Sequence, residues 1–452
     1  MGRSKGLVLL AGAALSLTGA SAAMAQQASN DEVRAVVSEM LADAESRTSL
    51  LAGGDAGHDG RFFIASDGFR LNVGGLVQIR YMMNVREDND VAGPFQDDFT
   101  HGFQLRRVKV DFNGELNRDW FYRVRLSADE GQQGVDASPS FSGGGEVDID
   151  YAYLGYKFAN GLKLTAGQFK TALLREELVS DSKQLAVERS FVNSLFTQGY
   201  SQGIEIAQEL EAWRWFFDFS DGMASANTDF TATDQPPVGQ PVPFLVSGQA
   251  EYAFTGRLEF MFSGAWKQFE DFTSPKGSDF GFMMGIAGTW QQSTQTQAIT
   301  DIDSDVFEYT IDASLKGDSW NMYAAFIGRS LENSANAANV TPGADSNYSD
   351  FGLIVQGGWR FAENTEVFAR WETLFPDSDW GTDLSDTYNF IGFGVNQYYA
   401  GHAAKATIDC VWALEQTADL FFTGDMPNTG IGLLGSTGDN EFAIRLQFQL
   451  VF

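Results

Sequence analysis

Arginines near the start of the chain are the residues whose type and spacing best suit a chemical task. Arg70, Arg80, Arg123 and Arg125 fall on the polar faces of alternating segments, and Arg106 or Arg107 should join them where the alternation changes phase. Ten of the thirty basic residues lie between Arg61 and Arg125. Guanidinium groups repeated along one wall would attract and pass anions, because each is permanently charged and presents a planar fork of donors. The competing expectation is that carboxylates pair with them and the arginines only brace the wall; Asp111, Asp129, Asp148 and Asp150 are the candidates. Other chemistry finds little support. His58, His101 and His402 stand far apart and in no metal-ligand spacing. No nucleophile elbow with a downstream histidine in plausible context, phosphate loop or dinucleotide fingerprint is present. We therefore expect no enzyme, no metal and no cofactor.

The elements that must carry these arginines are long strands. In "FRLNVGGLVQIRYMMNV" (Phe69 to Val85) every odd position is apolar or glycine, while the even positions include Arg70, Asn72, Gln78, Arg80 and Asn84. Period-two alternation gives one greasy and one wet face. Its length is about three times the ~5–6 residues of a typical globular strand. "VKVDFNGEL", "YRVRLSA" and the closing "EFAIRLQFQLVF" alternate in the same way, and opposite parities around Arg106-Arg107 imply a β-bulge there. The final phenylalanine resembles the C-terminal recognition signal of bacterial outer-membrane proteins.

Composition agrees with an exported barrel. The net charge of −30 and pI of 4.3 argue against nucleic-acid binding, and 48 glycines with 13% aromatics argue against an acidic disordered chain. Arg3 and Lys5, an apolar stretch and Ala23-Met24-Ala25 read as a signal peptide over residues 1–25. Residues 26–60 then offer Val33, Val37, Met40, Ala44 and Leu51 at helical spacing, followed by the joint "GGDAGHDG". That pattern predicts a short amphipathic periplasmic helix, resting on the barrel rim or forming a trimerising coil. The barrel is expected over residues 61–452. Cys410, the single cysteine, sits in an apolar run and is expected to be packed or lipid-facing rather than reactive.

Connections sort into short and long. "LNRD" (116–119), "FANG" (158–161), the return near Glu211-Ala212, "FTGR" (254–257), "KGDS" (316–319), "FAENT" (361–365) and "YAGH" (400–403) are short. The stretches 86–102, 130–146, 171–201, 221–244, 331–349, 376–387 and 415–440 are long. Short periplasmic turns opposite long extracellular loops are the asymmetry of an outer-membrane barrel. Seventeen segments alternate; requiring an even number with all short turns on one side removes "FGFMMGIAGTW" (Phe280 to Trp290) as a loop feature. The prediction is a 16-stranded antiparallel transmembrane barrel, with 18 strands as the alternative. No water satisfies backbone amides inside the bilayer, so the strands must close on one another, and about 16 leave an aqueous lumen.

From Leu105 to Ser190 the chain carries paired arginines before a strand ("LRRVKVDFNGEL"), a D-W turn, "AYLGY", "GQFK" and a later "ERS". In order and spacing this resembles the phosphate-selective porin O and P family. The resemblance implies a trimeric channel in the outer membrane that passes small anions or other solutes. It also implies that the loop after "GQFK" folds inward and narrows the pore, starting at Lys170 and running through Arg175, Glu176, Glu177 and Ser180 to Glu188-Arg189-Ser190. Ala172-Leu173 replace the proline-phenylalanine typical of the family after that lysine. The acidic runs "EDND" (87–90), "DIDSD" (301–305) and "DSDWGTD" (377–383), read as extracellular loops, would repel anions at the mouth or collect divalent cations. They keep a general or cation-preferring porin in play, as they do a non-conducting barrel that displays loops for adhesion.

Overall fold

The computed structural model describes residues 54–87, 98–128, 147–223, 225–228, 250–297, 300–335, 346–380, 384–418, 420 and 430–452. The predicted signal peptide and the predicted helix lie outside them, and the predicted joint is described from Gly54 on. The compact unit that carries the barrel spans Ala56–Phe452.

Two five-residue strands, β1 (Gly54–His58) and β2 (Phe62–Ser66), precede the wall. The wall begins with β3 (Phe69–Val85), β4 (Phe99–Leu116), β5 (Trp120–Ser127), β6 (Asp148–Lys157), β7 (Leu162–Lys170) and β8 (Tyr200–Glu209). It continues through β9 (Trp213–Ser220), β10 (Tyr252–Ser263), β11 (Gly281–Gln297), β12 (Thr300–Gly317) and β13 (Trp320–Ala335). The last strands are β14 (Ser346–Ala362), β15 (Thr365–Phe375), β16 (Tyr388–Tyr398), β17 (Ala404–Ala413) and β18 (Glu441–Val451). Each pairs antiparallel with the next, and β18 returns to β3 from Phe442 opposite Val85 to Val451 opposite Leu76. The result is a closed 16-stranded barrel.

The length of β3 has a specific cause. Its upper part pairs with β18, while its lower part, Phe69 to Val73, pairs with β2. Between them the terminal Phe452 carbonyl accepts from Gly75 N at 2.8 Å. The Phe452 ring lies over Gly75, where an added Cβ would meet its Cζ at 2.4 Å. The chain's last residue therefore completes the wall against its first long strand.

The alternation maps onto the faces as predicted. Phe69, Ile79 and Val85 are exposed outward, whereas Gln78, Arg80 and Asn84 are buried within. The bulge falls at Arg106: Gln78 pairs with Arg107 and Ile79 with Leu105. An extra residue there turns both Arg106 and Arg107 toward the interior.

One part of the strand count needs correction. "FTGR" is no turn; Phe254 to Arg257 lie inside β10 and keep pairing with β9 and β11. "FGFMMGIAGTW" is no loop feature; all but Phe280 of it belongs to β11. The total of sixteen holds because these two misreadings offset each other. The true connection, residues 264–280, is long although it lies at the short-turn end. It carries a 3-10 turn at Trp266–Phe269 and inserts Phe272 among inward residues, its ring 4.9 Å from Tyr323. "DIDSD" likewise belongs to β12 rather than to a loop, and "EDND" lies mostly outside the described residues.

Candidate functional site

The interior is dominated by the connection between β7 and β8. It holds two short helices, α1 (Arg175–Leu178) and α2 (Phe191–Phe196), and a 3-10 turn at Asp181–Lys183. Ser190 caps α2, its Oγ accepting from Asn193 N at 2.9 Å and donating to Glu176 Oε2 at 2.5 Å. Leu173, Leu185, Phe191, Val192 and Phe196 on this segment are each at most 1% exposed. They pack with inward residues of the wall, among them Tyr323, Ile354, Phe390 and Val411, and with Leu420, Ile431 and Leu433 from the β17–β18 connection.

A segment with so little regular structure leaves backbone groups that burial would make costly unless paired. Inward side chains supply the partners. Gln449 donates to Ser182 O at 2.9 Å, Lys405 to Gln184 O at 2.9 Å and Asn396 to Leu185 O at 2.8 Å. Asp409 accepts from Val187 N at 2.9 Å, and Glu372 accepts from Val192 N at 3.1 Å. The loop is thus pinned to the far wall, β15 to β18.

Ion pairs hold its other side. Arg80 Nη2 and Arg106 Nε donate to Glu188 Oε1 at 2.5 and 2.6 Å, and Arg107 Nη2 donates to Oε2 at 2.8 Å. Asp181 takes Arg189 at 2.6 Å, Lys109 at 3.2 Å and Arg107 at 3.5 Å. Burial alone would raise both carboxyls. The guanidiniums of Arg106, Arg107 and Arg80 around Glu188, and Lys109, Arg107 and Arg189 around Asp181, outweigh it and hold both well below the usual carboxylate range.

The predicted residues separate into distinct places. Arg80, Arg106 and Arg107 meet on Glu188. Arg123 and Arg125 share Asp111, at 2.8 and 3.6 Å, and both lie against the Tyr151 ring, 4.2 and 5.3 Å from its centroid. Arg70 is apart from both groups, at the short-turn end, paired with exposed Asp59 at 2.6 Å. Lys170 bonds to Glu177, while Arg175 reaches Ser314 Oγ at 2.9 Å and the Phe269 carbonyl. Glu176 pairs with Arg370 at 3.0 Å, and Arg189 bridges Asp181 and Glu177. Of the acidic partners expected from the sequence, Asp111 and Asp150 hold basic residues; Asp129 lies outside the described residues. Asp181, and Glu188 as the shared ligand of three arginines, were not singled out by sequence reasoning. Neither were Arg370, the Arg445–Asp409 pair at 2.7 Å or the Arg257–Asp312 pair at 2.8 Å. Strand parity turns Arg257, Asp312, Arg370, Asp409 and Arg445 inward, but it does not reach Asp181 and Glu188 on the connection, and nothing local reveals any of their partners.

The lumen is consequently lopsided. Inward residues of β10 to β18, such as Arg257, Glu308, Glu366 and Arg445, are fully buried. On β5 to β9 the inward Phe121, Arg123, Arg125, Tyr151, Tyr153, Lys163, Glu205 and Phe216 are only partly buried. Open space lies along that sector. Among the described residues no cluster of three metal-ligating side chains occurs.

A closed 16-stranded barrel, greasy outside and folded over an inward loop, defines an outer-membrane channel. The family profile of phosphate-selective porin O and P matches residues 79–382, well over half of the chain, and the chain belongs to that family. Among solved structures, the anion-selective porin from Comamonas acidovorans superposes with a TM-score of 0.52 at 10% identity, covering 85% of this chain and 100% of that one. In-vitro folded OmpT, an outer membrane protein of Vibrio cholerae, gives 0.51 at 10% identity, covering 86% and 99%. The outer membrane channel DcaP of Acinetobacter baumannii gives 0.51 at 12% identity, covering 88% and 100%. At such identities the likeness is one of fold. No curated protein sequence matches the chain.

Proposed function

We propose that the protein is a non-enzymatic porin through which small solutes and ions diffuse along the β5–β9 sector, with a modest preference for anions. The observation that carries the preference is the uneven exposure of the lumen cations. The side chains of Arg123, Arg106 and Arg125 keep 23%, 16% and 15% of their surface, whereas Asp111, the one carboxylate that pairs with both Arg123 and Arg125, keeps 8%. Partly exposed guanidiniums beside deeper carboxylates leave positive potential on the path. Lys170, Arg175, Glu176 and Arg189 then act as the frame of the constriction loop rather than as ion contacts, since each is committed to a partner there. Arg70 stands at the short-turn mouth. Export by the residue 1–25 signal, residence in the outer membrane among its lipids, and a homotrimer complete the reading.

A cation-preferring or general porin is the second reading, supported by the pairing of Arg80, Arg106, Arg107, Arg123 and Arg125 with carboxylates. The test is the reversal potential of the purified protein in a planar bilayer across a salt gradient, repeated with phosphate. Anion preference that Arg123→Glu with Arg125→Glu reverses supports the first reading. Cation preference in the wild type overturns it, and a silent bilayer overturns the channel altogether.

A further inference from the structure

The open sector is not lined as water-filled lumen usually is. Inward positions of a porin are polar, yet here Phe121 of β5, Tyr151 and Tyr153 of β6 and Phe216 of β9 face a shared cavity of about 260 Å³ below α1. Elsewhere inward rings such as Phe390 and Tyr388 are sealed under the loops; these four stay partly exposed. Phe121 lies across Gly155, where an added Cβ would sit 2.1 Å from its Cζ. Glycine at that position lets the ring lie against the wall as a platform.

The polar groups of the cavity complete a chemical specification. Arg123 pairs with Asp111, Lys170 with Glu177, and Glu209 with Arg214 at 3.3 Å. Two charged groups in the lining have no opposite charge within ion-pair distance among the described residues: Lys163 of β7 and Glu205 of β8. They lie diagonally across the β7–β8 pairing, since Lys163 faces Ala207 and Thr165 faces Glu205. Among the described residues the Glu205 carboxyl hydrogen-bonds only to another carboxyl, that of Asp218 opposite it in the β8–β9 pairing. A lysine donor and a carboxyl pair with further acceptor lone pairs, beside flat rings, suit a solute that both accepts and donates hydrogen bonds and has an apolar face to stack. An anion would gain Lys163 but be opposed by the Glu205–Asp218 carboxyl pair; a cation would meet the reverse.

We propose that this cavity is a stacking subsite for an uncharged polyhydroxylated ring, a monosaccharide-sized solute, on its way through the channel. The inference rests on the channel reading and is independent of its ion preference. The ring's C–H face lies against Phe121 or Phe216, while its hydroxyls accept from Lys163 and donate to Glu205.

The test is block of ion current through the full-length protein in planar bilayers by glucose, by the linear polyol mannitol and by benzoate. Glucose is expected to reduce conductance saturably, whereas mannitol, with hydroxyls but no ring face, changes it only through viscosity. Phe216→Leu and Phe121→Leu keep an apolar wall but remove the flat ring. Each should raise the half-blocking glucose concentration by about 2- to 10-fold, the range of one aromatic contact. Lys163→Gln, which breaks no ion pair among the described residues, should weaken glucose block without abolishing conductance. Equal effects of glucose and mannitol, stronger block by benzoate than by glucose, or unchanged glucose block in both leucine variants would overturn the subsite while leaving the channel intact. Absence of any current would instead overturn the channel reading beneath it.

Discussion

Replacing Glu188 by glutamine is the sharpest perturbation of the constriction loop. One carboxylate, 4% exposed, serves Arg80, Arg106 and Arg107, and the side chain of Arg80 is fully buried. Counting these four groups alone, the local charge goes from three positive and one negative to three positive. Breaking a buried pair by removing one partner costs about 3–5 kcal/mol. At about 1.4 kcal/mol per decade that moves a docked-to-undocked equilibrium of the loop by roughly two to three and a half orders of magnitude. The barrel wall, with its continuous strand pairing, should survive; the loop segment around Val187–Ser190 should release or recruit an anion in place of the carboxylate. In single-channel recordings Glu188→Gln is therefore expected to shift the reversal potential toward anions and to make the current sensitive to millimolar phosphate, while Glu188→Asp changes both less. If Glu188→Gln folds, inserts and keeps wild-type conductance, selectivity and phosphate response, the argument that this carboxylate locks the loop is wrong.

Acid should leave the loop in place over a wide range. Glu188 and Asp181 are held below the usual carboxylate range in the folded state, so their contribution is fully present above the unfolded values and is lost only as pH falls through the depressed folded ones. Conductance and selectivity should accordingly be steady from pH 7 to about pH 4, and a loop-release step centred near pH 5 or above would contradict the geometry. Gly167 in β7 has φ +129°, and a Cβ there would lie 2.2 Å from the Ala152 carbonyl. Gly167→Ala should destabilise the β6–β7 pairing by at least about 1–3 kcal/mol, read as a lower unfolding temperature of the detergent-solubilised barrel; an unchanged temperature would refute that strain.

Much of this protein could be read directly from its residues. Alternation in Phe69 to Val85 assigned Arg70 and Arg80 to one face and Ile79 and Val85 to the other, and the phase change at Arg106-Arg107 located the bulge. Both are local: successive side chains of a strand point to opposite faces whatever lies beyond. Turn chemistry was less dependable. Thr-Gly in "FTGR" has turn composition, yet Thr255, Arg257 and Glu259 keep one face through it. The actual turn-side excursion at 264–280 was missed because its reason, Phe272 filling space beside Tyr323, is tertiary.

The site divides along the same line. A closed antiparallel barrel with charged residues inside follows from the residues alone, since a period of two and the need to pair every backbone amide in hydrocarbon leave no other solution. Which of those charges stay available depends on contacts formed only in the folded barrel. Glu188 is 108 residues from Arg80, and Asp111 reaches Arg123 from the neighbouring strand. Pairing depends on distance in space rather than along the chain, and for an inward arginine it separates a brace in the wall from a group that can meet a solute.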